Sequence, residues 1–476
     1  MKKIHLIAFI GILSLLFSCE KFLDVQPRGT FVEDAMFKDV QGYRDAMYGV
    51  YASMASPQLY GRNMSYDFLD KLGQMFIYNN PSINFDTEIL NYNYNNKSVK
   101  AYTDTIWAGM YKSISYVNNV IGHLETTTLQ HPDLQLIKGE AHALRAFLHY
   151  DIARLYAKNY KTDAGAKGIP YAYKFDLSNK TLYSLADVYK NILSDLNVAE
   201  KALTNDNAVS YDEAGLNSDY QKGRYQHCNK FAVKALKARV FYSMGNADSA
   251  AYFAKQVIDS KTNFVLTDFS KFNAVKRFPA PKELIFGLNT TRINQTVYDL
   301  FLKGSGAGNI TQARFDLQKV YGTSSFSAGN TDVRFSAYYR EETGVYRFIR
   351  FMESDADMKA NPIKGINLIR LPEMYYILAE SVYDKDQAQA IELLNTVRQS
   401  RGLKEIDNTK VDSKEKFEKE LMNERMREMP GEGQVFFALK HYNRAFLKYN
   451  GTTQVEPSSA IFILPWPQNE LDFGSK

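Results

Sequence analysis

The sequence is poor in cysteine and tryptophan, with two of each among its 476 residues. So few cysteines exclude a disulfide framework as the main support of the fold, and a chain of this length can build a hydrophobic core instead. No charge dominates: 58 basic against 53 acidic side chains give +5, too weak to indicate nucleic-acid binding. With 45% hydrophobic and 23% charged residues, the chain is neither disordered nor fibrous. Tyrosine and phenylalanine are abundant instead, at 33 and 30 residues.

The sequence also lacks an apolar run long enough to span a bilayer, which needs about 20 residues. Its longest run, 4–17, follows two lysines and has the length and flanks of an export signal. The run ends at Leu16-Phe17-Ser18-Cys19, which resembles a bacterial lipobox. We therefore expect residues 1–18 to be removed and Cys19 to carry lipid, with an outer-membrane address because Glu20 rather than aspartate follows. Cys228 is then left without a disulfide partner, and a buried position is expected for it.

Helical periodicity runs through much of the remaining chain. Apolar residues recur at steps of three and four, which predicts helices joined in about four pairs. Ser184 and Asp187 are predicted to form a capping box, and Pro372 suits a first helical turn. Single pairs cannot bury their apolar faces alone, so the pairs must stack as in tetratricopeptide repeats. The predicted fold is therefore dominated by α-helices. The predicted helices are 39–54, 104–125, 133–157, 185–203, 230–244, 247–259, one from 371, and 387–401.

Two regions interrupt the helices and are expected to hold loops and short strands, near 56–102 and 262–370. The first is rich in tyrosine and asparagine, and the second contains short alternating runs and the glycine-rich stretch 304–308. Loops on a rigid scaffold are common binding sites. Sugars present apolar C–H faces and a rim of hydroxyls, so a glycan site needs aromatic rings beside amide, carboxylate or guanidinium groups. The candidate ligand-binding residues are Tyr60, Arg62, Asn63, Tyr66, Asp67, Tyr78, Asn79, Asn80, Tyr298, Tyr338, Tyr339 and Arg340.

Patterns for catalysis and metal binding are weak. Glu424 and Glu428 could suggest the two carboxylates of a glycoside hydrolase, but arginines interleave with them, which favours an ion-pair network. His142 and His149 are seven residues apart on one predicted helix, about 10 Å of rise, which is too far for one zinc ion. We therefore predict neither a metal site, nor a cofactor, nor a catalytic residue.

Several ordered motifs make the chain resemble the SusD-like, or RagB-type, outer-membrane lipoproteins. They extend over about 440 residues, and although no single motif is specific, their order is. The motifs are Cys19-Glu20-Lys21-Phe22-Leu23-Asp24-Val25-Gln26-Pro27, Trp107 to Ile114, Asn118-Asn119, Gly139-Glu140-Ala141 to Phe147, Gly168-Ile169-Pro170, Ala186-Asp187-Val188-Tyr189 with Asp195-Leu196, Ile369 to Tyr375, Asn395 to Arg398, Glu424 to Glu428 with Gly431-Glu432-Gly433, and Pro465-Trp466-Pro467.

The resemblance implies one SusD-like domain over 19–476 and a tetratricopeptide-type scaffold. It also implies a partner, a SusC-like TonB-dependent transporter, to which the lipoprotein delivers glycans captured at the cell surface without catalysis. Peptide capture, known in some members, is the alternative ligand class, and a helical-scaffold glycoside hydrolase is a less favoured alternative.

Overall fold

A computed structural model describes residues 33–78, 85–206, 219–272, 281–290, 292–303, 311–322, 332–351 and 365–474. Ten helices of nine or more residues form the scaffold within those ranges. They are α1 (Val40–Met54), α2 (Lys97–Thr126), α3 (Pro132–Tyr156), α4 (Leu185–Ala202), α5 (Lys230–Met244), α6 (Ala247–Ile258), α7 (Leu371–Val382), α8 (Gln387–Ser400), α9 (Lys414–Glu428) and α10 (Gln434–Tyr442).

Polar side chains start most of these helices by accepting hydrogen bonds from otherwise unpaired N–H groups. Ser184 does so at α4, where its Oγ accepts from the Asp187 amide at 3.1 Å and donates to the Asp187 carboxylate at 2.7 Å. The Ser184 side chain therefore caps the helix as predicted. The Asp187 carboxylate accepts its bond from the Ser184 hydroxyl, whereas a full capping box would use the Ser184 backbone amide. Asp39, Asn96, Asn229, Asn246, Asp386 and Ser413 cap other helices in the same way.

The helices pack in the predicted pairs: α1 with α2, α3 with α4, α5 with α6, and α7 with α8. Helix α6 also packs against α7, which joins two of these pairs. Gly139 shows how closely α3 and α4 approach, because a Cβ at this position would lie 2.4 Å from the Leu203 Cγ. The prediction of a helix-dominated, tetratricopeptide-like fold is confirmed.

The apolar stripe predicted on α3 lies in the core, and Ile137, Leu144 and Leu148 have no exposed surface. Cys228 is also buried, as expected. In the described part of the chain, every helix is too short or too polar to cross a bilayer.

Short strands in antiparallel pairs lie beside the helices. The pairs are β1 (Phe76–Tyr78) with β5 (Thr311–Ala313), β2 (Lys167–Pro170) with β3 (Leu182–Ser184), β4 (Leu284–Asn289) with β8 (Gly365–Arg370), β6 (Tyr339–Glu342) with β7 (Val345–Phe348), and β9 (Phe446–Leu447) with β10 (Gln454–Val455). The β1–β5, β4–β8 and β6–β7 pairs lie within the regions where the sequence predicts loops and short strands, whereas β2–β3 and β9–β10 lie outside those regions. The short helices are Glu33–Met36, Phe68–Leu72, Phe85–Leu90, Phe269–Phe272, Ile293–Val297, Leu317–Val320, Val333–Tyr338, Ser459–Phe462 and Gln468–Phe473, with a π-helical turn at Tyr298–Leu302.

Candidate functional site

Three of the predicted ligand-binding residues lie on elements that pack together. Tyr78 ends β1, where its backbone is paired with Thr311 of β5. Strand β5 packs against β7, whose hairpin partner β6 carries Arg340, and the π-helical turn that begins at Tyr298 packs against both β5 and β7. We call the surface formed by Tyr78, Tyr298 and Arg340 the ribbon face.

The elements that carry the ribbon face share a cluster of buried aromatic rings. The rings of Phe76, Phe301 and Phe348 are buried, with centroid separations of 4.8, 4.9 and 5.1 Å. The π-helical turn brings Phe301 into this cluster while leaving Tyr298 44% exposed. Single π-helical turns are frequent at functional sites, because they redirect side chains within an otherwise regular helix.

Charged groups lie on and beside the ribbon face. Arg340 forms a 3.5 Å ion pair with Glu342 while its side chain stays 55% exposed. Close to Tyr298, Asp299 accepts a hydrogen bond from Gln295 at 3.1 Å. The face thus combines half-exposed phenol rings with guanidinium and carboxylate groups, the chemistry that stacks on a sugar ring and binds its hydroxyls.

Other predicted residues lie beneath the surface. The Tyr60 hydroxyl donates to Asp151 at 2.8 Å, and the Tyr66 hydroxyl donates to the Gly61 carbonyl at 2.7 Å. Tyr338 and Tyr339 are at most 1% exposed, and burial raises the pKa of Tyr338 to about 12. These rings offer no solvent-facing surface for stacking in this arrangement.

Two of the remaining candidates, Arg62 and Asp67, form an ion pair. Asp67 forms ion pairs with Arg62 at 2.6 Å and Lys71 at 2.7 Å. Burial opposes ionisation of Asp67, but the two cations hold its pKa below the ordinary value. Asn63 is also buried, whereas the Arg62 side chain is 36% exposed. Asn79 and Asn80, like the lipid-attachment residue Cys19, lie outside the described residues. Ligand contact by every member of the set stays a prediction.

The carboxylates considered for catalysis are buried among arginines. Arg334 Nη1 lies 2.9 Å from Glu424 and 3.0 Å from Glu428, and Glu428 also pairs with Arg370 at 2.6 Å and Arg401 at 3.0 Å. Burial would raise the pKa of Glu424, but Arg334 and its other cationic neighbours lower it to about 2. The predicted ion-pair network is confirmed, although most of its arginines come from other elements than the helix itself. Carboxylates enclosed in this way cannot protonate a glycosidic oxygen.

The two histidines serve structural hydrogen bonds. His142 contacts Asp195 at 2.9 Å, while His149 bonds to the Arg145 carbonyl at 2.9 Å and to the Ala172 amide at 3.0 Å. Within the described ranges, no three His, Cys, Asp or Glu side chains are grouped so as to hold a metal ion.

Comparison with known proteins assigns the family. Residues 21–242 match the family model described as "Starch-binding associating with outer membrane", and residues 316–460 match that of the SusD family. The SusD-like protein P38 of Formosa agariphila is 25% identical over 94% of each chain. The chain belongs to the SusD-like family. The resemblance drawn from the motifs is therefore confirmed.

Solved SusD-like structures share the fold. A SusD superfamily protein from Bacteroides thetaiotaomicron superposes with a TM-score of 0.71 over 91% of this chain and 98% of its own, at 22% identity. A laminarin-binding SusD-like protein superposes with a TM-score of 0.64 over 85% and 92%, at 18% identity.

Among the exposed aromatic residues of this SusD-like chain that the predicted set omits is Phe315. Phe315 follows β5 and is 56% exposed. It lies within the second region that the sequence predicts to be irregular, but it is a phenylalanine among charged residues rather than a tyrosine among amides. A search that considered every aromatic residue of the irregular regions, rather than tyrosines among amides, would have included Phe315.

Proposed function

We propose that this protein captures glycans at the bacterial outer membrane, held there by lipid on Cys19, and delivers them to a SusC-like TonB-dependent transporter. Capture is non-catalytic. The observation that carries this proposal is the ribbon face, where half-buried Tyr78, exposed Tyr298 and exposed Arg340 lie on elements that pack together around a buried aromatic cluster. A rigid support of this kind lowers the entropic cost of binding, because the rings need not be ordered by the ligand.

The comparisons suggest the first ligands to test. One matching family model is described as starch-binding, and one structural neighbour binds laminarin. Both polymers are glucans, so malto- and laminari-oligosaccharides are the probes of choice. The membrane address is supported by the same family description and by the lipobox-like sequence before Cys19.

Calorimetry on the Cys19→Ala protein tests glycan capture. We expect binding to one of the two oligosaccharide series without release of reducing sugar. Tyr298→Ala should weaken this binding by about tenfold, the size expected for loss of one aromatic platform. Tyr252→Ala is the matched control, because Tyr252 is 63% exposed on α6 of the helical scaffold and should not affect binding.

Other outcomes would change the assignment. Binding to peptides but to no glycan would favour the peptide-capturing alternative, and release of reducing sugar would favour a glycoside hydrolase. Delivery is tested separately by purification of the lipidated protein from membranes, where a TonB-dependent transporter should co-purify with it. A failure to co-purify, together with normal glycan uptake in a deletion strain, would contradict the transporter role.

A further inference from the structure

A second aromatic surface lies beyond the end of β5. Phe315 is 56% exposed, and its ring meets the ring of Tyr449 at a centroid distance of 5.4 Å and an angle of 86°. The backbone fixes the pair as well, since the Phe315 amide donates to the Tyr449 carbonyl at 2.8 Å. An edge-to-face pair is a favoured aromatic geometry, so the two rings stabilise each other at the surface.

Tyr449 is placed by the tip of the β9–β10 hairpin, which is tied to both strands of the β1–β5 ribbon. Its amide donates to the Gln74 side chain, just before β1, at 3.3 Å. From the other strand, Arg314 donates to the Lys448 carbonyl at 3.2 Å, and its own amide donates to the Met75 carbonyl at 3.0 Å.

A glycine lets the hairpin tip approach this closely. Gly451 has a φ of +69°, and a Cβ there would lie 2.5 Å from the side chain of Asp316. The hairpin tip is therefore fitted against the residue that follows Phe315. Surfaces held by several elements in this way present their groups in a fixed arrangement.

Polar groups also meet at the hairpin tip. Lys448 precedes Tyr449 in the chain, and its ammonium donates to the exposed side chain of Asn91 at 2.6 Å. Aromatic rings with a small number of polar groups at their edge are the recurring chemistry of carbohydrate contacts.

The aromatic pair is within reach of the ribbon face. Tyr78 is opposite Thr311 in the ribbon, and Phe315 is four residues farther along the same chain. Four extended residues span at most about 14 Å, so one oligosaccharide can contact both surfaces.

We propose that Phe315 and Tyr449 form a second stacking platform for the same glycan, which makes affinity depend on the length of the sugar chain. This inference rests on the proposed glycan capture. Short oligosaccharides occupy the ribbon face alone, whereas longer ones also cover the aromatic pair and gain affinity from both contacts.

Calorimetry on the Cys19→Ala protein with the trisaccharides and heptasaccharides of the two series, maltotriose and maltoheptaose or laminaritriose and laminariheptaose, tests this proposal. We expect the heptaose of the recognised series to bind at least tenfold more tightly than the trisaccharide. Phe315→Ala and Tyr449→Ala should each weaken heptaose binding about five- to tenfold and leave trisaccharide binding unchanged. Tyr298→Ala should weaken both, and Tyr252→Ala neither.

Two further variants test whether the aromatic ring of Phe315, rather than the folding of the protein, determines the affinity. Phe315→Tyr keeps the ring and should keep heptaose affinity, whereas Phe315→Leu keeps the apolar character and should lose it. Heptaose binding that is unchanged in Phe315→Ala while wild type binds would overturn the second platform and leave glycan capture standing. Wild-type protein that binds neither series would overturn both the glucan assignment and this extension.

Discussion

At the scale of single residues, Glu428 is a buried carboxylate with three arginine partners. Arg334, Arg370 and Arg401 all donate to its carboxylate, which is fully buried. Burial opposes its ionisation, yet these three cations hold its pKa well below the ordinary value. Removal of this charge breaks three buried ion pairs and leaves the arginines with only their remaining carboxylate partners, such as Glu424 and Glu283. Breaking a buried ion pair by removing one partner typically costs about 3–5 kcal/mol.

We therefore expect Glu428→Gln to lower the free energy of unfolding by about 3–5 kcal/mol, measured by urea denaturation of the Cys19→Ala protein at neutral pH. Glu392→Gln is the control, because Glu392 is exposed on α8 and should change stability by less than about 0.5 kcal/mol. Equal effects of the two substitutions would contradict the structural role assigned to Glu428.

His149 gives the fold a dependence on pH. The Ala172 amide can only donate, so Nε2 of His149 is unprotonated and Nδ1–H donates to the Arg145 carbonyl. Burial lowers the pKa of His149 from 6.5 to about 3. Between these values the unfolded chain binds the proton and the folded chain does not, so stability falls as pH decreases from 6.5.

We expect His149 to contribute a slope of up to about 1.4 kcal/mol per pH unit in that window. Urea denaturation at intervals from pH 7.5 to 4.5 should show a shallower decline in His149→Gln than in the parent protein. The burial-lowered pKa of His441 acts in the same direction and remains in both proteins. Parallel pH profiles would show that His149 is not the titrating group.

At the scale of elements, the turn between α9 and α10 depends on two glycines. Gly431 and Gly433 have φ values of +90° and +66°, and both amides donate to the buried carboxyl of Asp70. A Cβ on Gly433 would lie 2.2 Å from the Met64 carbonyl oxygen, so side chains are excluded by space as well as by backbone conformation.

Gly433→Ala should therefore destabilise the protein by more than its backbone conformation alone requires. The matched variant Gly344→Ala has a φ of +81° and no atom within 4 Å of the added Cβ, and should cost only about 1–2 kcal/mol. We expect at least twice that loss for Gly433→Ala by thermal or urea denaturation. Similar losses in the two variants would show that the turn can move away from Met64.

The elements differ in how well the sequence predicts them. Helices such as α3 and α5 were predicted within about one residue, because their periodicity and caps are local signals. The ribbon face is predicted only as a set of regions, since the elements that carry Tyr78 and Tyr298 come together through pairing of β1 with the distant β5. The burial of Tyr66 is not predictable from the sequence, because it depends on a hydrogen bond from its hydroxyl to the Gly61 carbonyl that the folded loop provides.

At the scale of the whole molecule, the proposed delivery of glycans depends on attachment to the membrane, whereas the proposed binding does not. A glycan face built on a stacked helical scaffold can bind in solution, but delivery to a membrane transporter requires the protein to remain beside it. Lipid anchoring contributes roughly 0.8 kcal/mol per buried CH₂, and more than one acyl chain is needed for stable attachment. Cys19 is the proposed attachment point, and the other cysteine, Cys228, is buried in the core.

Cys19→Ala should therefore release the protein from the outer-membrane fraction into a soluble fraction, as followed by fractionation and immunoblotting. Cys228→Ala is the control: it removes the other thiol, which burial keeps protonated by raising its pKa, and should leave the protein in the membrane fraction. The released protein should retain its affinity for oligosaccharides in vitro while the cells lose uptake, because the binding surfaces do not include Cys19. Continued membrane retention of the Cys19→Ala protein would show that a protein contact, rather than lipid, holds it there.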